Sequence, residues 1–257
     1  MSFASSHVDT FLSGMATSGT ALYNKIIGDV KGMQEDEMGL VSGSYNTRAL
    51  QNIAGIMEEF FDSPTYENRL EKLVNSLPSI SRDVVLASQK KFGRELPEGL
   101  TEEILQIQDR YTDELNGVVY DDAVEAAIIS PYINDAFMIV GNSSEVSVLE
   151  TRTRDLKDNF VHYFVTKVTT LVEMYEREIY KLISDSYPIT HYKFKGVKDD
   201  RNRDWCHDHV NGIYSTEEIE SWANETWDGQ IPGTDALSIY VNLGGYNCRH
   251  ILEPIKP

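Results

Sequence analysis

The chain has 257 residues, 41% of them hydrophobic and 25% charged, which gives enough apolar mass for one large domain or two modest ones. Its formal charge of −18 argues against general binding of nucleic acid, because affinity for a phosphate backbone rests on cationic neutralisation. The longest apolar run, Ala123–Val140, is broken by Glu125, Pro131, Asn134 and Asp135, so no membrane span is expected, and the first seven residues lack the basic start and apolar core of a signal peptide.

Residues 1–45 are rich in Ser, Gly and Thr. Leu12, Met15, Ala16, Leu22, Ile26, Ile27 and Val30 can form one or two helical faces, and 33–46 reads as a loop. The expectation is an N-terminal arm or short helices that order against a partner. Residues 46–186 read as a helical domain. Ile53, Ile56, Met57, Phe60 and Phe61 recur at helical spacing up to Ser63-Pro64, and Leu70, Leu73, Val74 and Leu77 continue the pattern. Gly93, Pro97 and Gly99 mark a connector. Thr101 followed by Glu102-Glu103 opens another helix, because acids favour the positive end of the helix dipole. A helix over 120–129 is expected to stop at Ser130-Pro131.

The strongest periodicity covers about 146–184. Leu156, Phe160, Phe164, Val168, Leu171, Val172, Tyr175 and Ile179 form one stripe, with charged residues, Arg152, Arg154 and Arg177 among them, assigned to the polar side. A core helix of a bundle explains this pattern. After Tyr187-Pro188 the period changes. Residues 190–197 alternate as a strand, Ser215-x-x-Glu218 is a capping box, and 237–241 reads as a second strand. The expected fold is therefore a mainly α-helical body with a small, turn-rich C-terminal α+β module over 187–257. Such a module has a limited core and is a natural place for a metal staple.

That module contains both cysteines of the chain, each beside a histidine: Cys206-x-x-His209 and Cys248-x-His250. A two-residue gap lets a tight turn present both side chains to one ion. A one-residue gap places Cys248 and His250 on one face of an extended segment. Cys206, His209, Cys248 and His250 together form a tetrahedral zinc set, with His207 as substitute ligand. Two other readings stand beside it: plain buried thiols, and a Cys206–Cys248 disulfide in an oxidising compartment.

The ordered run Asp199-x-Arg201-x-Arg203, Cys206-x-x-His209-x-x-Gly212, Pro232-Gly233, Asn247-Cys248-Arg249-His250 and Pro254 resembles the C-terminal signature of tailed-phage head morphogenesis proteins, also called minor head or minor capsid proteins. The family pattern ends in Asn-Cys-Arg-Cys; here the last position is His250, and His209 stands where some relatives have cysteine. Both departures keep a zinc-competent side chain. The resemblance covers the last third to half of the chain and says little about residues 1–120. It implies a structural or assembly protein in the virion and, during assembly, in the host cytoplasm. Its partners would be other particle proteins (portal, coat or neck) in a multi-copy assembly, and it would have no catalytic activity. The competing enzyme reading is a small nuclease, metal-dependent or built on His207, Arg203 and Arg249. A deaminase is not supported, because the chain has neither His-x-Glu nor Pro-Cys-x-x-Cys. Walker and dinucleotide fingerprints are absent too.

Overall fold

The structure, a computed structural model, describes residues 2–119 and 121–256. Helix accounts for 69% of the chain, and one small antiparallel sheet lies at the C-terminal end, so the architecture is a mainly helical body with a small α+β module. The helices in chain order are α1 (Phe3–Lys31), α2 (Gly43–Phe61), α3 (Pro64–Val74), α4 (Leu77–Phe92), α5 (Leu100–Val119), α6 (Asp121–Val124), α7 (Ser130–Gly141) and α8 (Val146–Asp185). A π-helical turn, Glu125–Ile129, joins α6 to α7. The module adds β1 (His191–Lys195), α9 (Asp204–His209), β2 (Ile213–Ser215), α10 (Thr216–Ser221), α11 (Ile239–Asn242) and β3 (Ile251–Pro254). None of the helices among the described residues is long and apolar enough to cross a membrane.

The chain forms two compact units, each assembled from separate stretches. One consists of Phe11–Lys72 and Gly117–Phe164. Its centre is aromatic: Phe60, Phe61, Tyr66, Phe160 and Phe164 meet edge-on or tilted, with ring centroids 5.0–6.2 Å apart. That geometry suits the ring quadrupoles. The Tyr66 hydroxyl donates to Val119 O at 2.6 Å.

Two expectations change here. The segment read as an arm or short helices is a single helix, α1, over 29 residues. Ala4, Val8, Phe11, Met15, Leu22, Ile26 and Val30 are all buried along it, at helical spacing. Its Ser and Thr residues obscure that stripe in the sequence. Thr10, Thr17 and Thr20 return their hydroxyls to the carbonyl four residues back, so they do not break the helix. The helix expected to end at Ser130-Pro131 does not end there. Proline has no N–H to donate, and the chain meets that loss with a π turn in which Ser130 N–H reaches Glu125 O, five residues back. Tyr120, the expected start of that helix, lies outside the described residues, as do Met1 and Pro257.

The other unit consists of Met1–Thr10, Leu73–Asn116 and Val165–Pro257. Its sheet has the order β2-β1-β3, all antiparallel. In β1, Tyr192 and Phe194 are buried while His191 is exposed, the alternation expected of a half-buried strand. Tyr192 sits opposite Tyr214 on one side and Pro254 on the other, and Phe194 opposite Leu252. Those residues continue into a core of Phe92, Ile189, Cys206, Val210, Ile219, Trp222, Ile239, Tyr240, Leu243 and Cys248. The capping box at Ser215 is present in both directions: Glu218 N–H to Ser215 Oγ at 3.2 Å, and Ser215 N–H to Glu218 Oε2 at 2.7 Å. The expected second strand over 237–241 is not formed. Asp235 takes the N–H groups of Leu237 and Ser238, at 3.0 and 2.8 Å, and starts the short helix α11 instead.

Gly19 tests the packing of the aromatic unit. A Cβ there would lie 2.9 Å from Cδ1 of Phe160, whose ring is fully buried and cannot swing away. The helix-propensity gain from replacing glycine is less than about 1 kcal/mol, and overpacking costs about 1–3 kcal/mol. Gly19→Val should therefore lower the urea midpoint with an unchanged slope; an unaltered midpoint would mean that the ring has room to move.

Candidate metal centre

Cys206 lies on α9, and Cys248 and His250 lie in the segment that leads into β3. Their path is set by backbone that few residues adopt: Leu243, Gly245 and Asn247 all have positive φ, 44°, 89° and 58°. Asn247 tolerates that conformation and is fixed by its N–H to Thr170 Oγ1 at 3.0 Å and its side-chain amide to Thr166 Oγ1 at 3.4 Å. Gly244 is required by contact. A Cβ there would fall on Cys206 Sγ and 2.9 Å from Cys248 Sγ, so both sulfurs rest against bare backbone. Gly196 plays the same part for the His250 ring.

The donor atoms of Cys206, Cys248 and His250 lie within 4.8 Å of one another, and all three residues are buried. They could hold a metal ion. Cys248 Sγ is 3.7 Å from His250 Nδ1. His250 Nε2 is 3.0 Å from Val197 O, an atom that can only accept, so Nε2 carries a proton and Nδ1 is the nitrogen that faces Cys248 Sγ. This is the arrangement in which a metal-binding imidazole is normally held. Donors around a tetrahedral zinc are roughly 3.5–3.8 Å apart, so closure needs an inward shift of about an ångström at most.

The electrostatics favour ionisation of one thiol. Cys248 is held well below the ordinary cysteine value, first by the hydrogen bond from Cys206 and then by His250 and the Arg177 guanidinium. Cys206 is pushed up by the same hydrogen bond and by burial. The two shifts oppose, so Cys248 is the thiol of the pair that ionises first. A soft divalent cation would displace both thiol protons.

His209, expected as the fourth ligand, is not part of this cluster. It is three residues from Cys206 on α9, but its ring stacks on Trp205 with centroids 4.2 Å apart, and its Nδ1 donates to Trp205 O at 2.6 Å. Phe194, Tyr214 and Trp222 surround it. The aromatic residues around the histidine outcompete the sulfurs for its ring. His207 does not substitute, since it is exposed with Nδ1 3.7 Å from Asp208 Oδ1. Among the described residues the metal-competent group is thus a set of three.

The rest of the signature closes around the set. Arg249 forms a two-pronged pair with Asp199, at 2.7 and 3.1 Å, and Arg201 reaches the same carboxylate at 3.4 Å. The pair holds the Asp199 carboxyl down at about 2. Arg203 donates to Gly244 O at 3.3 Å.

Arg177 was assigned to the polar face of its helix. It is 2% exposed instead, and its guanidinium donates to Val241 O, to Asn242 O at 3.2 Å and to Cys248 O at 2.7 Å. Comparison with protein-family models, with curated proteins and with solved structures returns no match.

Two outcomes follow from this geometry. Gly244→Ala should separate the sulfurs and weaken cobalt(II) binding, read as loss of the thiolate-to-cobalt absorption band, with helix content unchanged. Arg177→Met fills a similar volume but leaves three carbonyls, two of them buried, without their donor. At about 1–3 kcal/mol for each unsatisfied group, it should cost several kcal/mol in thermal or denaturant unfolding.

Proposed function

We propose that the chain is a structural or assembly protein of a tailed-phage particle, of the minor head or head-morphogenesis kind, whose C-terminal module is stapled by zinc. One observation carries the reading: most of the signature residues that prompted the resemblance are spent on one another, on backbone or on α8. Asp199 is taken by Arg249, Arg203 by Gly244 O, Asn247 by Thr166 and Thr170, and the two thiols by each other and His250. Residues arranged for turnover leave a donor, acceptor or nucleophile facing open space. Of the side chains that the nuclease reading recruits, Arg203 and Arg249 are already bound, while His207 is exposed beside Asp208.

Zinc is the ion proposed because two thiolates and one imidazole suit it. Three protein ligands leave a fourth position, and an open position usually signals catalysis. Its burial argues otherwise, since Cys206, Cys248 and His250 are each 2% exposed. The module then acts as a rigid docking piece, and the partners are other particle proteins. The acidic chain would meet a basic surface among them, so association should weaken as salt rises past physiological strength.

Elemental analysis of the purified chain should find one zinc per molecule, and Cys248→Ser should lose the metal and open residues 187–257 to protease while the helices persist. Mass spectrometry of purified particles should find the chain at low copy beside the coat protein. Absence from the particles, or metal-dependent hydrolysis of nucleic acid by the purified chain, would overturn the assignment; absence of zinc alone would remove only the staple.

A further inference from the structure

The interior of the unit that carries the module contains an imbalance of charge. Three ionisable side chains on consecutive turns of α8 are buried together: Glu173, Glu176 and Arg177, each 2% exposed or less. The guanidinium gives its two terminal nitrogens to three carbonyls of the C-terminal segment, and its Nε is buried without a hydrogen-bond partner among the described residues. The two carboxylates instead face the first turn of α1. Glu176 accepts the N–H of Phe3 at 3.1 Å on one oxygen and that of Ala4 at 2.6 Å on the other. It thereby satisfies two of the amide donors that a helix start leaves unpaired. Glu173 accepts the hydroxyls of Ser2 and Ser5 on Oε1, both at 2.9 Å. Its other oxygen, Oε2, is buried and has no hydrogen-bond partner among the described residues.

Two buried acids and one committed base cannot all be charged at low cost. Burial pushes the Glu176 carboxyl up as well, but backbone N–H groups on both of its oxygens pull against that push. Glu173 has no such donor on Oε2, and Oε2 is the atom that takes a proton. We infer that the first turn of α1 is a proton-gated latch on α8, closed while Glu173 is protonated and released when Glu173 ionises. The inference is independent of the proposed particle role and of the metal.

Burial pushes the Glu173 carboxyl up to about 7, against the pull of Arg177 and the two serine hydroxyls and with the help of Glu176. Arg249, on the segment before β3, is the other cation that senses it. The direction of the linkage follows. A carboxyl raised on folding contributes stability below its unfolded value, near 4.5, and that contribution is lost as pH rises through about 7. Release uncovers Ala4 and Val8, which are buried in the closed form.

Hydrogen exchange of the full chain, followed by mass spectrometry at pH 6 and pH 8 and corrected for intrinsic exchange, tests the latch. Opening of residues 3–10 should increase roughly tenfold between the two values in the parent chain. Glu173→Gln, which keeps the shape and stays neutral, should abolish that increase. An equal increase in both proteins, or none in the parent, overturns the proposal. Should Glu173→Gln fail to fold, the double variant Ser2→Ala/Ser5→Ala carries the test. It removes the donors to the ionised form, whose charge-assisted bonds are the stronger ones, so opening should rise at pH 8 far more than at pH 5. The same increase at both values would overturn the latch as well.

Discussion

Arg177 is the side chain through which the long helix α8 and the C-terminal segment are made one structure. Its guanidinium sits in the interior and supplies donors to carbonyls at 241, 242 and 248, which belong to α11 and to the turn that presents Cys248. Each bond from a charged donor contributes about 1.5–3 kcal/mol, and a lost donor leaves its acceptor desolvated. The backbone at 241–248 is held in conformations that few residues adopt, and such strain persists only where its surroundings over-determine it. Arg177, together with Thr166 and Thr170 one helical turn apart on the same helix, provides that over-determination. The sulfur-bearing turn is therefore placed by a helix far away in sequence, before any ion is considered.

A cation buried in this way changes what its neighbours can do. The Arg177 charge helps hold Cys248 as a thiolate and also draws on Glu173, so the thiol pair and the carboxyl pair share one electrostatic centre. The carboxylates and the guanidinium follow from the geometry of α8: 173, 176 and 177 are three and four apart and must lie on one side of the helix. The same spacing that makes an exposed ion pair on a surface helix makes, in the interior, a cluster that is short of one positive charge.

The sequence exposed the helical body through its apolar stripes, and the Phe160–Phe164 spacing placed the aromatic centre on α8. It exposed the sulfur pair because two cysteines, each beside a histidine, are conspicuous in a chain with no others. Local patterning did not reveal the partner of each group. His209 has the right spacing for a ligand, but spacing carries no information about Trp205, Tyr214 and Trp222, which capture its ring. Arg177 looked like a surface charge because the stripe was drawn as one face. Past Val168 the helix also buries Thr169, Thr170, Glu173, Glu176, Tyr180 and Ser184, so its polar side narrows to a strip that carries Glu178, Lys181 and Asp185 and leaves Arg177 outside it. Apolar residues at 171, 172, 175, 179, 180 and 183 spread around about half the circumference, wider than a single stripe, but Arg177 lies beyond that arc and its burial was not legible from it.

Residues 1–10 show the same limit from the other direction. Ser, Thr and Gly lower the mean hydropathy of a segment and suggest a loose tail, yet small polar residues are what a helix start needs when its partner is a pair of buried carboxylates. Ser2 and Ser5 are short enough for α1 to lie against α8, and their hydroxyls supply donors that an alanine would lack. A serine-rich beginning is thus consistent both with an arm in solution and with a latched helix. The deciding fact is the acid at 173, more than 160 residues away. When a polar segment closes on a buried charge, its composition is set by that charge, and no window of local sequence contains both.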